Sequence, residues 1–126
     1  MKKVTLIAVF FWLLGISFAT QANWYTGGNL HAENALAWQQ ASYENKLATS
    51  ADFISTMYQN DHLTASISRQ INGIDSLRPL AEELVSQLDD AFQPDPNPEE
   101  NRRLFTNMKV GESAAMIMIM MGWLET

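Results

Sequence analysis

The sequence predicts an all-α fold, a small irregular bundle of four to six helices following a cleaved N-terminal signal peptide. Three observations predict it. Leu77, Leu80, Leu84, Leu88 and Phe92 recur at steps of three, four, four and four, which is one face of a helix. Leu36, Tyr43, Leu47, Ala51, Ile54 and Tyr58 recur in the same way, and no Gly or Pro interrupts the chain from Leu30 to Asn60. Val, Ile and Thr nowhere alternate with polar residues over a full strand, residues 116–120 excepted.

The first segment reads as an export signal. Met1-Lys2-Lys3 precedes an uncharged run from Val4 to Phe18, 15 residues long. That is shorter than the ~20 residues a spanning helix needs and matches the apolar core of a signal peptide. Small residues follow, and Thr20-Gln21-Ala22 suits the shallow pockets of signal peptidase. Cleavage is expected after Ala22, with Ala19 as the alternative. The expected destination is the periplasm or the medium, with the membrane met only in transit. Residues 1–22 are thus read as signal peptide and 23–126 as a single helical domain.

The remaining 104 residues hold 6 basic and 14 acidic side chains, a formal charge of −8. Nucleic acid and anionic lipid attract Lys and Arg, so neither is an expected partner. A basic protein surface fits better. The chain has no cysteine. Disulfides, thiolate metal sites, a CxxC redox motif and a cysteine nucleophile are thereby excluded.

Taken in order, residues 23–29 form an aromatic and glycine-containing arm, and Asn29 is a suitable helix cap. Helices are expected over about 31–46 and 49–59, parted near residue 48 by a Thr49/Asp52 capping box, or as one bent helix. Thr64 caps a short helix carrying Ile67 and Ile71, with Gly73 as its stop. Asp75 or Ser76 caps the leucine-striped helix, and Pro79 sits in its first turn, where a missing N–H costs little. Residues 93–98, with Pro94, Pro96 and Pro98, form an extended connector. Asn97 caps the next helix, in which Glu99 is spaced to pair with Arg102 and Arg103. Gly111 interrupts, and 112–124 forms the last helix.

That last segment runs Ala114-Ala115-Met116-Ile117-Met118-Ile119-Met120-Met121. A helix apolar on every side is normally buried on every side, so it is expected to be the central helix, with methionine filling irregular gaps. Two other readings stand beside this one. Met116 and Met120, at i and i+4, offer thioether sulfur to Cu(I). The same side chains also suit a surface that faces a partner.

The candidate partner-binding residues are Trp24, Tyr25, His31 and Trp38, an aromatic cluster near the start of the exported chain. His31 and His62 read as surface or capping histidines. The pairs Glu82-Glu83 and Asp89-Asp90 read as the solvated face of their helix. No G-x-S-x-G elbow or H-E-x-x-H metal motif occurs. No catalytic residue, metal or cofactor is assigned, and an enzyme is not expected.

The signal peptide, the small size, the helical pattern and the segment Tyr43-Glu44-Asn45-Lys46-Leu47-Ala48-Thr49-Ser50 together resemble bacterial immunity proteins. These protect a cell against type VI secreted peptidoglycan amidases. The same architecture is similar to acid-activated periplasmic chaperones. The cysteines of both groups are missing here, and Ser50 stands where a cysteine would be comfortable. The expected function is that of an exported protein that binds a protein partner, inhibitor- or immunity-like. A periplasmic ligand or Cu(I) carrier and an acid-stress chaperone are the alternatives.

Overall fold

The computed structural model describes residues 23–126. The expected signal peptide and both cleavage points lie outside the described residues. Six α-helices make up the described part: α1 (Ala35–Gln40), α2 (Tyr43–Gln59), α3 (Ala65–Ser68), α4 (Arg78–Ala91), α5 (Pro98–Phe105) and α6 (Val110–Met120). A 3₁₀ turn, Ile74–Leu77, leads into α4. The described residues hold no strand longer than an isolated bridge.

The first helical region divides earlier than its sequence suggests. Asn34, not Asn29, caps α1, its side chain accepting from the Ala37 N–H. The chain turns at Ala41, and Ser42 caps α2 by accepting from the Asn45 N–H. Thr49 is therefore not a cap. It is buried inside α2 and accepts from the Leu30 N–H at 3.3 Å. Asn29 pairs with Asn45 instead: its N–H donates to Asn45 Oδ1 at 2.9 Å, and its own Oδ1 accepts from Asn45 Nδ2 at 2.8 Å.

The leucine stripe is buried as its spacing requires, from Leu77 to Phe92. It packs mainly against α2, through Leu47, Ala51 and Ile54. The start of α4 differs from expectation. Neither Asp75 nor Ser76 caps it, and the 3₁₀ turn runs straight into the helix. Ser76 Oγ instead closes the preceding turn, donating to the Gly73 carbonyl at 2.6 Å. The short helix α3 ends at Ser68, well before Gly73.

The proline connector is tied down by side-chain amides. Asn101 Oδ1 accepts from the Asp95 N–H and from Gln39 Nε2, while Asn101 Nδ2 donates to Gln39 Oε1. Asn97 caps α5 as expected, accepting from the N–H groups of Glu99 and Glu100. Arg102 pairs with Glu99, but Arg103 pairs with Glu100. The hydrogen bond from Arg103 holds the Glu100 carboxyl below the usual carboxylate range.

The core centres on α2 and α4, not on the methionine-rich helix. Leu47, Ala48, Thr49, Ser50 and Ala51 are buried in succession, covering every side of α2 at that level. Four of the five are small, so neighbouring backbone can approach closely. A Cβ on Gly28 would lie 2.4 Å from the Thr49 nitrogen, which shows how tightly the N-terminal arm crosses α2. The Ser50 hydroxyl is buried there without a hydrogen-bond partner.

Candidate interaction surface

Residues 114–120 are apolar at every position, so that stretch carries no helical phase of its own. Backbone pairing at the two ends of α6 supplies that phase. Before α6, Lys109 bridges Asn34: the Ala35 N–H donates to the Met108 carbonyl at 2.8 Å and the Val110 N–H to the Glu33 carbonyl at 3.0 Å. After α6, Leu124 bridges Leu63: the Thr64 N–H donates to the Trp123 carbonyl and the Glu125 N–H to the His62 carbonyl, both at 2.8 Å.

The end of α6 prepares the second bridge. Gly122 adopts φ +77, the Gly122 N–H bonds the Ile119 carbonyl and the Trp123 N–H bonds the Met118 carbonyl. This is a Schellman ending, and buried Trp123 follows as its apolar partner. The end of α2 repeats the pattern with Asp61 at φ +59, its N–H bonding the Tyr58 carbonyl and the His62 N–H bonding the Met57 carbonyl. The two endings deliver residues 62–64 and 123–125 side by side.

Clamped in this way, α6 buries Val110, Ala114 and Met118, the last only 1% exposed. The opposite side faces outward: Met116 is 58% exposed, Ile119 46% and Met120 76%. The expectation that this helix sits at the centre is thus corrected. Half of it lines the core and half carries bare hydrocarbon and thioether. Met116 and Met120 share the outward face, one turn apart, while Met118 points inward. A strand, by contrast, would put all three on one side.

Beside this face lies a groove of about 410 Å³ between the end of α4 and α6. Its walls include Ala91, Met108, Lys109, Glu112, Met116 and Ile117. Met108 is itself exposed. The outward face therefore continues into a concave, mostly apolar surface that carries one charge of each sign.

The aromatic residues singled out from the sequence do not gather in one place. Trp24 and Tyr25 stack edge to face at 5.5 Å, and the arm folds back onto the start of α4. There the Trp24 indole N–H reaches Asp75 at 3.3 Å and the Arg78 guanidinium lies over the Trp24 ring. Trp38 is 1% exposed and lies in the core against Phe92. Its indole N–H donates to Asp89 at 2.9 Å, and Lys46 pairs with the same carboxylate while lying over the ring. Asp89 thus stays half-exposed on the helix surface while accepting from both groups, and Asp90, Glu82 and Glu83 are exposed beside it.

His31 is exposed. Its Nε2 meets Asp52 at 2.9 Å, and its ring stands edge-on to Phe53. His62 lies on the other side of Leu63 from the α3 cap and contributes its carbonyl to the second bridge. Among the described residues, no group of three His, Asp or Glu side chains is placed to hold a metal ion. No described helix is long and apolar enough to cross a membrane.

The outward face of α6 was invisible to the periodicity argument, because every position there scores as apolar. The one usable signal is Lys109 at the N-cap and Glu112 in the first turn, which place water near the start of the helix. No family model, curated protein or solved structure matches the chain.

Proposed function

We propose that this is an exported helical protein that acts by binding another protein, in an inhibitor- or immunity-like role, and that the outward face of α6 is the contact surface. The observation that carries this reading is the exposed set Met116, Ile119 and Met120 beside the groove. Contiguous apolar surface rimmed by polar groups is a mark of protein contact, and methionine adapts its shape to a partner at little cost. The charge of −8 on residues 23–126 supports a basic partner, since opposite potentials raise the encounter rate. Trp38 is too deeply buried to contribute, which leaves Trp24, Tyr25 and His31 as peripheral candidates.

Site-specific photocrosslinking in the producing cells tests the surface. A photoreactive side chain at position 116 or 120 is expected to give one discrete protein adduct. The same group at exposed Ser86 on α4 is expected to give none. Adducts of equal yield from all three positions, or none from α6, would end this reading. Export is tested separately by N-terminal sequencing, which should begin at Asn23.

A further inference from the structure

We propose that Met116 and Met120 form an oxidation site, at which peroxide or hypohalous oxidants convert the outward thioethers to sulfoxides while Met118 in the same helix is spared. The three side chains are close in sequence and share one helix, yet the first two are 58% and 76% exposed and the third 1%. Thioether oxidation needs the sulfur to meet the oxidant directly, so exposure sets the order of reaction. Burial of Met118 against the core denies that approach.

The step balances with peroxide as the oxidant. A sulfur lone pair attacks one peroxide oxygen, the O–O bond breaks and an S–O bond forms. The departing hydroxide takes the proton left on the transferred oxygen and leaves as water. Sulfur gives up two electrons and the peroxide accepts them. Each event replaces an apolar group on the α6 face with a strong, polar hydrogen-bond acceptor.

Neither outward side chain helps to hold α6 in place. The helix is fixed by Val110, Ala114 and Met118 and by the bridges at Lys109 and Leu124. Oxidation therefore changes the surface and leaves the fold intact. If α6 is the docking face, a consequence that rests on the function proposed above, sulfoxide formation weakens partner binding without unfolding the protein.

The test treats the folded chain with hydrogen peroxide and localises added oxygen by fragment-ion sequencing. Trypsin leaves residues 110–126 as one peptide, because no Lys or Arg follows Lys109. Met120 and Met116 are expected to oxidise about tenfold or more faster than Met118, at unchanged far-UV circular dichroism. In urea the three rates should converge. Met118 keeping pace in the folded chain, or loss of helix with the first two oxygens, would overturn the proposal.

A Met116→Leu/Met120→Leu variant supplies the second readout. It should take up two fewer oxygens and keep its retention on a phenyl column after peroxide, where the parent loses retention. Equal loss in both would refute the surface change. If the oxidation pattern holds but crosslinking from α6 captures nothing, the docking reading fails and the oxidation site stands.

Discussion

A methyl group at position 28 would stand 2.4 Å from the Thr49 nitrogen and 2.7 Å from its Cα, both backbone atoms in the middle of a helix. Nothing there can rotate aside, so the arm or the helix must move. Gly28→Ala is expected to cost about 1–3 kcal/mol, read as a lower urea midpoint at unchanged slope. An unchanged midpoint would mean that the arm does not cross α2 in solution. Ser50 sets the opposite case. Its buried hydroxyl lacks a partner, and such a group carries an uncompensated desolvation cost. Ser50→Ala should leave stability unchanged or raise it by about 1 kcal/mol, and a clear loss would reveal a partner for the hydroxyl. The Glu100–Arg103 pair gives a pH-dependent signal. A carboxylate whose folded pKa lies below its unfolded value favours the fold above the unfolded pKa. That contribution is lost as pH falls through the lowered folded pKa. The NMR titration midpoint of Glu100 should rise in Arg103→Gln, and a midpoint that stays put would show the pair to be absent.

At the scale of single elements, α4 and α6 show when a sequence reveals its own burial. The stripe from Leu77 to Phe92 is legible because polar residues such as Glu82, Glu83 and Ser86 separate its members, so the pattern has a phase as well as a period. The run Met116 to Met121 has neither, and its orientation comes from bridges made by Lys109 and Leu124 with distant chain. Tertiary hydrogen bonds of that kind leave no local trace. The same holds for Thr49, whose capping pattern and whose close packing under Gly28 look alike in one dimension. The observed phase of α6 makes a sharp prediction. Met118→Ala should cost about 2–5 kcal/mol, because it opens a cavity in the core. Met120→Ala should stay within about 0.5 kcal/mol of the parent. Equal effects in a urea titration would mean that α6 is rotated from the orientation described.

For the molecule as a whole, the question is how a chain of this size with no cysteine holds a half-exposed apolar helix in place. The core centres on α2 and α4, with the Trp38, Phe92 and Phe105 rings meeting edge to face across α1, α4 and α5. That core would leave α6 attached along one narrow stripe. The two bridges change this, because they fix both ends of the helix to the segments that flank α1 and α2. The all-α character and the leucine-striped helix could be read from the sequence, since each rests on local periodicity. The closure could not, since it joins residue 34 to 109 and 63 to 124. It follows that Leu124 and the backbone of exposed Glu125 are structural. Removing Leu124–Thr126 deletes the hydrogen bond from the Glu125 N–H to the His62 carbonyl and the packing of half-buried Leu124. A loss of about 1–2 kcal/mol is expected, from one net hydrogen bond and part of a leucine side chain. The loss should be local in origin, so hydrogen exchange should quicken first in the last turn of α6 and in residues 62–64, with the α2 and α4 amides slowest throughout. Uniform acceleration across all helices would instead show that α6 unfolds only with the core. The clamp would then be one part of a single cooperative unit, not a separate fastening.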